Sequence, residues 1–130
     1  MAIAEDLAGQ ISCIADTDLS NIGVNQYTVV ALRPAQNGKG DGQGRIACTT
    51  WEDGRQPLGI LLNNTKQGGA ATIYTFKGPQ RARAATAWNG GDPLKVTEGG
   101  LLAKAADGDA VFAIARESAV PGDITGVILR

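Results

Sequence analysis

The stretch that decides the fold is residues 89–130, NGGDPLKVTEGGLLAKAADGDAVFAIARESAVPGDITGVILR. Glycine tolerates positive φ and proline pre-sets a turn, so clusters of these residues mark turns. Such clusters recur here at near-regular intervals. These turn motifs are residues 90–93, 98–100, 107–109 and 121–123. Between them lie four short apolar runs, residues 94–97, 101–105, 110–115 and 124–129. Four short strands without room for a crossover helix predict an antiparallel meander.

Upstream of this stretch, further short apolar or alternating runs predict strands, and the clearest, residues 26–32, is rich in β-branched and aromatic residues. They are residues 26–32, 45–51, 58–62 and 71–76, followed by an alternating segment at 80–88. A shift of 54 residues places Asp53-Gly54 on Asp107-Gly108 and Gly68 on Gly122. This weak internal repeat predicts two similar units. We therefore expect an all-β domain over residues 26–130, a small antiparallel β-sandwich or barrel-like body with internal duplication.

Residues 1–25 carry a different pattern. Ile3, Leu7, Ile11 and Ile14 are spaced by four, four and three residues, as on a short helix. Gly9 and the β-branched residues weaken the helical interpretation. An extended N-terminal arm that orders only against a neighbouring subunit is about equally consistent with the residues.

Composition limits the function classes. The chain has 130 residues, a net charge of −1 with both signs interspersed, and no apolar run of membrane-spanning length. Near-neutral charge argues against a dedicated nucleic-acid binder and gives no electrostatic reason to sit on a membrane. No secretory signal pattern is present, so we expect synthesis in the cytoplasm. The two cysteines, Cys13 and Cys48, are expected to be buried free thiols rather than a disulfide.

Residues suited to catalysis are sparse. Histidine is absent, which removes the usual general base near neutral pH and the commonest zinc ligand. The glycine-rich residues 37–44 lack the Gly-Lys-Ser/Thr ending of a phosphate-binding loop and are expected to be a hairpin loop. The carboxylate pairs Asp16/Asp18 and Asp107/Asp109 could form an acid pair, but solvated turn acids are the expected role. We therefore expect no enzyme, no cofactor and no metal site.

Basic and aromatic side chains are the remaining candidates for binding. Arg81 and Arg83 project to one face of their predicted strand. Three interpretations fit this pattern: an edge strand protected by charge, a contact for an acidic partner, or a short stripe that binds nucleic acid. Trp51 and Trp88 are expected in the core, with an exposed interface anchor as the alternative.

The C-terminal third resembles the phage capsid decoration (cement) proteins. The matching pieces are residues 91–96, 107–109, 112–115 and 121–129. The resemblance implies a small all-β protein that binds the outer surface of a phage capsid through the major capsid protein and stabilises the head. It also implies a homotrimer, a virion location after synthesis in the host cytoplasm, and an N-terminal arm that reaches an adjacent subunit.

These expectations give a set of partner-binding residues, namely Ile3, Leu7, Ile11, Arg81, Arg83 and Trp88. The main alternative is a β-module that binds carbohydrate or single-stranded nucleic acid through exposed tryptophans. An acid-pair hydrolase is disfavoured because no supporting base is present.

Overall fold

A computed structural model describes residues 10–20, 25–33, 47–52, 55–75 and 77–130. Within these ranges the chain forms ten β-strands and one short 3-10 turn, Glu98–Gly100. The strands are β1 (Gln10–Ala15), β2 (Val29–Arg33), β3 (Ala47–Thr50), β4 (Pro57–Leu61), β5 (Ala70–Tyr74), β6 (Gly78–Arg83), β7 (Pro93–Val96), β8 (Leu102–Lys104), β9 (Ala113–Ala115) and β10 (Ile124–Leu129). Among these residues no helix is long and apolar enough to cross a membrane. The all-β prediction is confirmed.

The first five strands close into a barrel in the order β1-β3-β2-β4-β5. All neighbours are antiparallel except β1 and β3, which pair in parallel through Ile14–Ala47 and Ala15–Cys48. A closed barrel leaves no strand edge open to aggregation. We call this unit the first barrel.

The last five strands form a second sheet in the order β6-β10-β9-β7-β8. Its two outer strands approach each other, because Ala84 and Leu102 form a parallel bridge and Ala85 N donates to Leu102 O at 2.7 Å. This bridge corresponds to the parallel β1–β3 pairing of the first barrel. The second sheet therefore repeats the strand order of the first barrel.

The internal repeat is confirmed at the level of single hydrogen bonds. Leu62 N donates to Thr72 O at 2.9 Å, and the residues 54 positions later, Arg116 N and Gly126 O, are 3.0 Å apart. Strand pairs follow the same rule, since Ile60–Tyr74 corresponds to Ile114–Ile128, with the shift found in the sequence. From residue 47 onward the two units are therefore in register.

The earlier strands repeat with larger shifts. The Ala15 carbonyl accepts from Gly68 N, and the Ala84 carbonyl, 69 positions later, accepts from Gly122 N, both at 2.8 Å. Tyr27 occupies the place that Gly91 takes in the second sheet. Both have positive φ, 66° and 91°, and Tyr27 is the single non-glycine residue with positive φ in the described ranges. The larger shifts explain why the sequence pattern fades before residue 47.

The two units share one hydrophobic core. Val29, Ala31, Ile60 and Trp51 of the first unit belong to the same buried cluster as the inward side chains of the second sheet. The first barrel has a separate interior around Leu19, including Cys13, Cys48, Leu61 and Ile73. Burial of a side chain of this size stabilises by about 1.5–3 kcal/mol. Both units are therefore expected to fold together.

The 3-10 turn makes a close backbone contact between the units. Gly100 has φ of +81°, and a Cβ there would overlap the Val29 carbonyl oxygen and lie 2.8 Å from Val29 N. Only glycine permits this backbone approach.

Two predictions differ from the structure. The last four strands are antiparallel as expected, but β9 pairs with β7 and β10 rather than with β8, so they do not form a simple meander. The reason is the eight-residue connection 105–112, which is too long for a tight hairpin and carries the chain past β8. The expected N-terminal arm contains a strand of the first barrel, Gln10–Ala15, whose residues 10–14 pair with β5. Residues 1–9 and 37–44 lie outside the described ranges.

Candidate functional site

The tryptophans are buried and their polar atoms are satisfied. Trp51 is 9% exposed and its Nε1 donates to Arg55 O at 2.8 Å. Trp88 is 4% exposed and its Nε1 donates to Glu117 O at 3.0 Å. A base or sugar ring needs an open aromatic face for stacking. The alternative of exposed stacking platforms is therefore wrong for both residues.

The two predicted arginines have different environments. Arg83 is half-buried, and its Nε donates to Gln26 O at 2.6 Å while its backbone N donates to Tyr27 O at 3.1 Å. It therefore ties β6 to the segment that precedes β2 in the first barrel. Arg81 is exposed on the outer face of β6, opposite Gly126 of β10.

Arg81 belongs to a shallow polar depression on the second sheet, which we call the arginine face. It consists of Arg81, Arg116, Glu117 and Gly126. Glu117 Oε1 accepts from Gly126 N at 2.9 Å and from Thr125 Oγ1 at 2.8 Å. These hydrogen bonds, with the Arg116 and Arg81 charges, lower the pKa of Glu117. Glu117 is thus fixed as a carboxylate, and the two exposed arginines beside it can contact an anionic surface.

An apolar row crosses the outer side of the second sheet. Pro79 pairs with Ile128, Ile128 with Ile114, and Ile114 with Pro93, so these four residues stand side by side on β6, β10, β9 and β7. Ile128 is 41% exposed. The counterparts of Ile114 and Pro93 in the first barrel are Ile60 and Val29, both fully buried against the second unit.

A groove of about 890 Å³ lies between the two units. Its apolar walls include Trp51, Pro57, Leu58 and Phe112, with Val96 and Leu129 from the second sheet. Its charged side chains are four cations and two acids, namely Arg55, Lys77, Lys95, Arg130, Glu98 and Asp109. This volume is in the usual range of ligand pockets.

Asp18 and Asp109, one carboxylate from each predicted acid pair, accept hydrogen bonds within turns. Asp18 Oδ1 accepts from the N and the Oγ of Ser20, which lowers the pKa of Asp18. Asp109 Oδ2 accepts from Ala106 N at 2.9 Å and pairs with Lys95 Nζ at 3.1 Å, which lowers the pKa of Asp109. A general acid needs the opposite shift. Within the ranges the structure describes, no three His, Cys, Asp or Glu side chains group as a metal site would require.

The cysteines are buried free thiols, as predicted. Cys13 is 2% exposed and Cys48 is fully buried, on the neighbouring strands β1 and β3. The hydrogen bond with Cys13 and the burial raise the pKa of the Cys48 thiol. A raised pKa suppresses the reactive thiolate, so these are core side chains.

Of the three N-terminal residues predicted to contact a partner, the structure describes only Ile11. Ile3 and Leu7 lie outside the described ranges. Ile11 is a half-buried residue of β1 that packs against the interior of the first barrel. Of the arginine face, sequence reasoning found only Arg81, because Arg116 and Glu117 reach this face only through the pairing of β9 with β10.

No protein-family model matches the sequence, and no curated protein matches it. A solved structure does match the fold, that of the head fiber gp8.5 N base in bacteriophage phi29. The match has a TM-score of 0.71 and covers 93% of this chain and 92% of that one. The two proteins share a fold. At 15% sequence identity the similarity is one of architecture, and it extends over both units.

Proposed function

We propose that this chain is a structural virion protein that binds the outer surface of a phage head and stabilises it. The observation that carries the proposal is the fold shared with a phage head-fibre base over nearly the whole of both chains. The sequence resemblance to capsid decoration proteins points to the same setting independently. The buried tryptophans and the turn-bound carboxylates fit a protein that acts through its surface.

The proposed mechanism is mass action. A protein that binds the assembled shell and not its separated subunits shifts the equilibrium toward the shell. Several weak contacts made by one oligomer add through effective concentration. Stabilisation therefore needs neither catalysis nor a cofactor.

We propose a homotrimer as the bound form. The apolar row Pro79–Ile128–Ile114–Pro93 supports self-association. Val29 and Ile60, the first-barrel counterparts of Pro93 and Ile114, are buried against the second unit, which shows that these positions can form a contact between units. Pro79 and Ile128 of this row are exposed and Ile114 and Pro93 partly exposed, and such a continuous apolar patch is typical of protein contact sites. A second copy would cover them.

We propose the arginine face as the contact with the major capsid protein. Arg81 and Arg116 are exposed and flank a fixed carboxylate, which suits an acidic patch on the shell. Arg83 is not included, because its Nε is held by Gln26 O.

The test is co-sedimentation of the purified protein with phage heads that lack it. We expect the wild type to pellet with the heads and to raise the temperature at which they open. Arg81→Glu with Arg116→Glu should weaken binding by about tenfold or more, since like charges would meet across the contact.

The matched control is Lys66→Glu with Lys104→Glu, two exposed cations outside the arginine face. It makes the same change of net charge and should bind within about twofold of the wild type. Failure of the wild type to pellet would contradict capsid binding. Equal loss in both variants would contradict the arginine face alone.

A further inference from the structure

The groove between the two units has a surplus of positive charge that its own acids do not neutralise. Asp109 is already bound to Lys95 and to the Ala106 N–H. Lys77 and Arg130 form no ion pair with any residue in the part of the chain that the structure describes. Lys77 and Arg130 are therefore available to an anionic occupant, whereas Arg55 is paired with Glu52 and Lys95 with Asp109.

The walls of the groove select the kind of anion. Pro57, Leu58 and Phe112 provide partly exposed apolar surface beside these cations. The indole of Trp51 is nearly covered, so Trp51 offers no open face on which a base could stack. Cations beside apolar walls fit an extended peptide whose acidic and apolar side chains alternate, because successive side chains of an extended chain point to opposite sides.

We infer that the groove binds an extended acidic segment of a partner protein. Lys77 and Arg130 would pair with its carboxylates, while Phe112 and Leu58 would contact its apolar side chains. The site is separate from the arginine face and shares no residue with it. The inference goes beyond head binding, and it holds or fails independently of that proposal.

The experiment uses a fluorescein-labelled peptide of alternating glutamate and leucine, eight residues long, and fluorescence anisotropy with the full chain. We expect saturable binding that weakens as salt is added. The same peptide with lysine in place of glutamate should not bind. Lys77→Glu with Arg130→Glu should weaken binding of the acidic peptide by about tenfold or more.

The matched control is again Lys66→Glu with Lys104→Glu, which changes net charge equally but lies outside the groove. It should keep the wild-type affinity within about twofold. Equal weakening in both variants would overturn the inference, because it would show general attraction rather than a site. Equal affinity for a labelled eight-residue oligothymidylate would also overturn it.

One further variant tests whether the chain supplies its own acidic segment. Residues 1–9 contain Glu5 and Asp6 and no lysine or arginine. Glu5→Lys with Asp6→Lys should leave the affinity for the acidic peptide unchanged when a partner is the occupant. A rise of about tenfold would assign the groove to the chain's own terminus and overturn the partner assignment.

Discussion

Single acidic side chains hold the turns of the second sheet. In each of three turns an aspartate accepts a hydrogen bond from the backbone N–H three residues earlier. These pairs are Asp92 with Asn89, Asp109 with Ala106, and Asp123 with Val120. Each aspartate follows a glycine with φ near +90°. These three Gly-Asp motifs of the second sheet are therefore turn-fixing pairs.

This arrangement makes stability depend on pH. The Ala106 N–H and Lys95 lower the pKa of Asp109 from its ordinary value of 3.8. Because the folded-state pKa lies below the unfolded one, the contribution is present above pH 3.8 and is lost as pH falls through the folded-state pKa. We expect Asp109→Asn to lower Tm at pH 7 and the difference from wild type to shrink as pH falls below 3.8.

The control for this prediction is Asp107→Asn in the same turn. Asp107 is exposed and its side chain makes no hydrogen bond or ion pair within the described part of the chain. Its Tm should match the wild type across the pH range in thermal unfolding followed by circular dichroism. A gap of equal size for both variants would show that general charge, and not the turn hydrogen bond, sets the effect.

The buried thiols give a second prediction. In the native protein Cys13 and Cys48 should resist a thiol-specific aromatic disulfide reagent, because burial and the raised pKa of Cys48 suppress the thiolate. Two equivalents should react after unfolding in denaturant. Rapid native-state reaction at either residue would contradict the burial of that side chain.

Among the elements, the 3-10 turn at residues 98–100 gives the sharpest comparison. Gly99 and Gly100 have nearly the same φ, +80° and +81°, but a Cβ meets nothing within 4 Å at Gly99 and the Val29 backbone at Gly100. We expect Gly99→Ala to cost about 1–2 kcal/mol of unfolding free energy, the cost of the left-handed backbone alone. Gly100→Ala should cost about 4 kcal/mol or more, since β2 must move.

Urea unfolding of the two variants measures both costs. The same loss for Gly99→Ala and Gly100→Ala would contradict the close contact between this turn and β2.

Most strands were predictable from sequence because each is a short apolar run bounded by turn residues. The run 58–62 and the strand Pro57–Leu61 differ by one residue at each end. The order of the strands was not predictable in the same way. The parallel pairing of β1 with β3 joins segments more than thirty residues apart, and no local pattern encodes such a contact.

The candidate sites were also predictable only in part. Arg81 was found because alternation places it on an outer face. Trp88 is buried in the core as expected, but its contacts with Glu117 and Ala119 were not predictable, because these residues reach it from another part of the chain. The groove is formed by both units together, so neither half of the sequence predicts it.

At the scale of the whole molecule, the shared core predicts one cooperative transition. Ile60 lies on β4 of the first barrel, but its side chain packs in the buried cluster of the second sheet. Ile60→Ala should therefore destabilise both units together, by about 2–5 kcal/mol. Urea curves from tryptophan fluorescence and from far-ultraviolet circular dichroism should coincide. Two separated transitions would contradict a common core.

The duplicated architecture brings three candidate contact surfaces together on one body. The arginine face and the apolar row lie next to each other on the outer side of the second sheet, and the groove lies between the two units. Such a body suits simultaneous contacts with a shell and with further copies of itself.

The most direct test of the proposed role is the copy number of this chain in purified phage particles, measured by quantitative mass spectrometry against the major shell protein. A protein that occupies equivalent lattice positions on the head must be present at a fixed ratio, equal to the shell protein or a simple fraction of it. We predict such a ratio. Absence of the chain from the particles, or only a few copies in each, would contradict its role as a head-binding structural protein.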